Sequence, residues 1–151
     1  MRIGIGADHC GFRTKARIAK YLCEKGHAVL DYGTDSEESA DYPDIAIMVA
    51  EAVAKKRVKY GILLCYSGQG MVMAANKVRG IRAALCADAK SARFARAHND
   101  ANVLVMPAGF LKFGKKMQVI IDTFLETGFE GGRHLRRIRK IIRYENSTHR
   151  I

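Results

Sequence analysis

The chain has 151 residues, 48% of them hydrophobic and 27% charged, with no low-complexity stretch, which excludes disorder and fits one soluble domain over residues 1–151. No apolar run reaches the ~18 residues of a membrane helix, and Asp8 and His9 arrive before a signal-peptide core could form, so the expected address is cytoplasmic. The formal charge of +11 raises nucleic acid as a partner, but seven basic residues cluster between Arg133 and Arg150 against the single acid Glu145, with no aromatic platform or RNA motif, so that reading ranks below binding of a small anionic substrate.

In chain order, short apolar runs alternate with amphipathic stretches. Strands are expected over 2–7, 28–32, 60–65, 82–86 and 102–106, and helices over 11–25, 44–56, 70–77, 89–97, 113–127 and 133–144. Gly26 ends the first helix, Tyr42-Pro43 opens the second, and Gly128 with Gly131-Gly132 separates the last two. This alternation implies an α/β fold, a Rossmann-like three-layer α/β/α sandwich on a five-stranded parallel sheet, closed by a basic C-terminal helix at about 133–145. Ligands in such sheets sit beyond the carboxyl ends of the strands, which here hold Asp8-His9, Cys65 to Gly70, and Met106 to Gly109.

The third strand delivers Cys65 into the turn Tyr66-Ser67-Gly68-Gln69-Gly70 just before a helix. Amides of a glycine-rich turn and a helix N-terminus favour a thiolate there, so Cys65 is a candidate base, although a cysteine ending a buried strand can also be inert packing. A phosphatase loop would need an arginine where Met71 stands, and Gly4-x-Gly6 lacks the third glycine of a dinucleotide fingerprint, His9 taking its place. Cys10, Cys23 and Cys86 form no C-x-x-C pair, argue against zinc and disulfides, and are assigned to the core. Asp8 and His9 suit sugar hydroxyls or a phosphate, with Asp8 alternatively capping the next helix. His98 at a helix end is either a favourable terminal cation or a general acid and base. Arg133 and Arg137, four apart on one face, suit a phosphate dianion, or are solvated surface.

Taken together, Ile5-Gly6-Ala7-Asp8-His9, Tyr32-Gly33-Thr34, Asp41-Tyr42-Pro43-Asp44, residues 61–70, Ala74-Ala75-Asn76-Lys77, Gly80-Ile81-Arg82-Ala83, His98-Asn99-Asp100-Ala101-Asn102-Val103 and Glu130-Gly131-Gly132-Arg133-His134 resemble the ribose-5-phosphate isomerase B family, related to the galactose-6-phosphate isomerase subunits. The resemblance runs through almost the whole chain. It implies a homodimer with interfacial active sites, with pairing into tetramers left open, and no metal, nucleotide or other cofactor. The implied reaction interconverts ribose 5-phosphate and ribulose 5-phosphate through a cis-enediolate. By residue-to-residue match, Cys65 moves the proton between C2 and C1, Ser67 and the amides of Tyr66, Gly68, Gln69 and Gly70 stabilise the enediolate, and His98 opens the furanose. Asp8 and Asn99 hold the sugar, and His9, Arg133 and Arg137 bind the phosphate.

Three departures stand out. Tyr66-Ser67 replaces the family's Gly-Thr, and Gln69 replaces a small or apolar residue. Gly109 occupies the position of an arginine that helps bind substrate, with Lys112 as a nearby substitute. The last helix is also richer in arginine than the function needs. These leave two alternatives: an isomerase of a 6-phosphohexose such as allose or galactose 6-phosphate, or an inactive relative that binds sugar phosphate.

Overall fold

A computed structural model describes residues 1–148; Arg150, counted above in the basic C-terminal segment, lies outside the described residues. The elements in chain order are β1 (Arg2–Ala7), α1 (Phe12–Glu24), β2 (Ala28–Asp31), α2 (Tyr42–Ala54), β3 (Tyr60–Cys65), α3 (Gln69–Ala75), β4 (Ala83–Leu85), α4 (Ala89–Asn99), β5 (Val103–Pro107), α5 (Lys115–Glu126) and α6 (Gly132–Thr148). All five strands are parallel, in the order β2-β1-β3-β5-β4.

The two-residue period of the strands divides the core into two layers. Ile3, Ile5, Tyr60, Ile62, Leu64, Leu104 and Met106 face α1, α4 and α5, meeting Ile18, Leu22, Ala92, Ile120 and Phe124. On the other face Leu63, Cys65, Val103 and Val105 meet Ile45, Val49 and Val53 of α2 and Met71 of α3. Fully burying each such aliphatic side chain contributes about 1.5–3 kcal/mol, so both patterned faces are held firmly. Gly6 and Gly61 point at α2, where an added Cβ would lie 2.7 Å from Ile45 and Val49 respectively. Close helix-on-sheet packing therefore accounts for Gly6 of the Gly4-x-Gly6 pair, whereas Gly4 faces Val58 and the Tyr32 ring.

Helix α2 begins two residues before the expected start, because Pro43 is accommodated in its first turn, where its missing N–H costs nothing. Strand β4 shrinks to three residues at the sheet edge, and α4 continues through His98 and Asn99 to a left-handed Asp100 (φ 45°). The cysteine assignment holds for Cys86, which is buried, but Cys10 and Cys23 are exposed: Cys10 lies in the turn before α1 and Cys23 on the solvent side of that helix. Among the described residues no helix is long and apolar enough to cross a membrane.

This topology builds a crevice. Strand β1 lies between β2 and β3, with α1 on one face of the sheet and α2 on the other, so the chain diverges at the carboxyl ends of β1 and β3.

Candidate functional site

At that switch point the backbone N–H of Asp8 donates to the carbonyl of Leu64 (3.2 Å), which sets Asp8 beside Cys65. Asp8 is buried, and its Oδ1 accepts the N–H groups of Cys10 (3.0 Å) and Gly11 (3.3 Å). The carboxylate thus shapes the turn before α1 without capping the helix, whose N-cap is Gly11 with no side-chain cap, and is locked in orientation where a ligand would meet it. His9 follows, its Nδ1 accepting the N–H of Ala40 (3.3 Å), which leaves Nε2–H as the donor this ring offers a ligand.

Cys65 ends β3, buried on the α2 and α3 side. The N–H of Gly68 donates to its Sγ at 3.2 Å, an interaction that strengthens as the sulfur gains negative charge. Gly68 makes this turn possible: its φ is +79°, and an added Cβ would overlap Leu85. Ser67 Oγ accepts the N–H of Gln69 (3.3 Å), and Gly70 is held small by the ring of Tyr42, 2.5 Å from where its Cβ would be. Asp8, His9, Cys65, Tyr66, Ser67, Gly68, Gln69 and Gly70 therefore share one end of the sheet. The loop after β5 is tied to them, as Ala108 N–H donates to the Cys65 carbonyl (2.9 Å) and Gly109 N–H to that of Tyr66 (2.8 Å). Lys112, in the same segment, is exposed.

His98, Asn99, Arg133 and Arg137 gather at the other end. Helix α4 runs back along the sheet, and near its end Arg96 donates to Tyr60 Oη (2.9 Å), while Gly61 N–H donates to the Asn102 carbonyl (3.0 Å), at the start of β3. Cys65 lies five residues further along that strand, roughly 16 Å at ~3.3 Å per residue. One chain does not bring His98 to Cys65. Asn99, two residues past the expected end of its helix, is the last residue of α4.

Around His98 the structure adds residues that the sequence reading did not assign to the site. Its ring is sandwiched between Phe94 (4.8 Å, 26°) and His134 (4.1 Å, 7°). Glu130 Oε2 lies 3.6 Å from His98 Nε2 and 3.7 Å from His134 Nε2. Burial holds the buried His134 below the usual histidine range, with His98 and Arg133 acting in the same direction and Glu130 opposing them. These donors are close enough to suggest a metal, but nearly parallel ring planes do not converge on one ion, which must lie in the plane of each imidazole. The i, i+4 spacing of Glu130 and His134 was the available signal; the stack with α4 is tertiary. Beside this cluster, a groove of about 930 Å³ runs between α4, α6 and the β4 edge, lined by Leu85, Phe94, Ile138 and Ile141 among others.

A model of the Ribose/Galactose Isomerase family matches residues 3–141. The chain is 46% identical over 148 residues to a probable ribose-5-phosphate isomerase B of Mycoplasma genitalium, covering 97% of each sequence. It superposes with TM-score 0.95 on a ribose-5-phosphate isomerase B of Clostridium thermocellum, at 44% identity and covering 98% of this chain and 99% of that one. A crystal structure of the Mycoplasma genitalium ribose-5-phosphate isomerase B with bound ribulose-5-phosphate matches at TM-score 0.91 and 45% identity, over 96% of each chain.

Proposed function

Because the chain belongs to the ribose/galactose isomerase family, we propose that it is an aldose-ketose isomerase that interconverts D-ribose 5-phosphate and D-ribulose 5-phosphate. The observation that carries the reading is Cys65 at the β1/β3 switch point, with an amide on its sulfur and Asp8 beside it.

In this reading the Cys65 thiolate takes the C2 proton of the open-chain aldose. The electrons pass to the C1 carbonyl oxygen, giving a cis-enediolate; the Cys65 thiol, whose proton exchanges with solvent in the meantime, then delivers a proton to C1 while the O2 hydroxyl proton passes to O1. Ser67 and the amides of the Tyr66 to Gly70 turn serve the enediolate oxygens in this reading, as an oxyanion site requires. Asp8 and Asn99 hold sugar hydroxyls, and His98 opens the furanose. His9, through its Nε2–H, binds the phosphate with Arg133 and Arg137. Base, anion donors and acid are all groups of the chain, so the chemistry calls for no cofactor.

The length of β3, roughly 16 Å at ~3.3 Å per residue, separates Cys65 from the end of the sheet that carries His98, which supports a shared site in which the Cys65 half of one copy faces the His98 half of a second. The apolar groove at the β4 edge provides a surface for such a homodimer. The proposed compartment is the cytoplasm, whose reducing poise keeps Cys65 a thiol.

Proton NMR in deuterated water tests the activity. Ribose 5-phosphate and ribulose 5-phosphate should interconvert with deuterium entering at the reacting carbon, and Cys65→Ala should lose at least a thousandfold in rate while keeping its fold. No conversion of either sugar by the wild type sinks the pentose reading, and the same assay on allose 6-phosphate and galactose 6-phosphate then tests the hexose alternative.

A further inference from the structure

The reading above gives His98 a task without saying what prepares its imidazole for it. Three neighbours confine the ring. Phe94 and His134 fix its plane from both faces, and Glu130 sits at one nitrogen, Nε2. A carboxylate at that distance is within a few tenths of an ångström of accepting Nε2–H, and an imidazole that donates from Nε2 carries its lone pair on Nδ1. The side chain of His98 is one-third exposed, so it remains reachable by a ligand.

The same carboxylate also reaches the Nε2 of His134, but the two histidines are not equivalent. Two stacked imidazolium rings would repel, so the pair carries at most one proton beyond neutrality. The His134 side chain is 8% exposed against 33% for His98, so burial keeps His134 neutral and His98 is the ring a ligand can reach. The charged groups around the pair are Glu130, from the turn before α6, and Arg133 and Arg137 of α6. Glu130 is the one anion among them.

We propose that Glu130 is the positioning residue for ring opening: its carboxylate holds Nε2–H of His98, directs the Nδ1 lone pair to the sugar, and stabilises the imidazolium that forms, while His134 serves as a neutral stacking plate. The inference rests on the role proposed above for His98. In the step itself, Nδ1 takes the proton of the C1 hydroxyl as C1=O forms and the C1–O4 bond breaks, and the same proton is then delivered to O4. No proton is gained or lost overall, and the transient positive charge sits beside Glu130. The carboxylate takes no part in the later proton transfer at Cys65.

That division supplies the test. Ribulose 5-phosphate has no free 5-hydroxyl and cannot close to a furanose, so exchange of its C1 proton with deuterated water needs Cys65 but no ring opening. Glu130→Gln, which keeps volume and removes charge, should slow turnover of ribose 5-phosphate about thirtyfold and leave C1 exchange of ribulose 5-phosphate within twofold. Equal loss in both assays would mean a structural role, and no loss in either would mean no role; each overturns the proposal. If the wild type converts neither sugar, the proposed activity fails first. Nitrogen-15 NMR of the neutral His98 ring in the ligand-free protein then decides the anchor by itself: the Nε2–H tautomer should predominate in the wild type and lose that excess in Glu130→Gln, and an unchanged tautomer ratio rejects it.

Discussion

Gly109 and Tyr66 are one structural change rather than two. A Cβ on Gly109 would lie 2.5 Å from Tyr66 Cε2, because the tyrosine ring lies over the glycine and packs edge-to-face on Phe110 (5.2 Å, 71°). The bulk gained beside Cys65 and the side chain lost after β5 thus occupy the same volume, which explains both departures from the family pattern. A loss of function through an empty position at 109 is not what this geometry describes, since a ring fills the space. Tyr66 and Phe110 are both more than half exposed, so the ring could swing aside at the cost of its aromatic contact. Gly109→Ala should therefore destabilise by about 1 kcal/mol in urea unfolding, and the cost should almost vanish in a Tyr66→Ala background. Additive effects of the two substitutions would show that the ring and the glycine are independent.

At the scale of elements, the strands were legible because parallel strands buried on both faces give unbroken apolar runs, and β1 and β3 have the expected bounds. Turn chemistry marked most helix ends, whereas the shortness of β4 and the two further residues of α4 depend on edge position and on Asp100, which pairs with Arg82 and Arg96. The loop after β2 was not legible, because it is organised by a lysine from inside α1. Lys15 is almost fully buried, with its Nζ 2.8 Å from both Asp31 and the Thr34 carbonyl, strapping the 32–34 turn near Asp8 and His9. Asp31 is nearly half exposed, so water can solvate it when the lysine is gone, and the cost falls short of that for a wholly buried pair. Lys15→Met, which keeps the stem, should cost about 1–2 kcal/mol by thermal or chemical unfolding. It should also raise KM for ribose 5-phosphate more than it lowers kcat, because the strap orders a binding loop and not the base. A stability unchanged within error would show that the buried ammonium contributes only packing.

For the whole molecule, the sequence placed Asp8, His9, Cys65, His98 and Arg133 in stretches that resemble the family but could not show that those stretches lie at opposite ends of the sheet. Strand order and the backward course of α4 decide that, and both emerge only when the chain is folded. If each site takes Cys65 from one copy and His98 from another, two inactive variants can repair one another. Cys65→Ala and His98→Gln should each be nearly inactive on ribose 5-phosphate. In a mixed dimer one site receives both defects and the other receives neither. Random reassortment of equal amounts makes about half the dimers mixed, with one of two sites intact, so activity should return to about a quarter of the wild-type value. The measurement is turnover after the two variants are unfolded and refolded together, against each refolded alone. Recovery near that level requires a site shared between copies. Absence of recovery, in a mixture whose mixed dimers are verified by mass spectrometry, would place both groups in one chain's site and demand a conformation in which α4 turns its end toward Cys65.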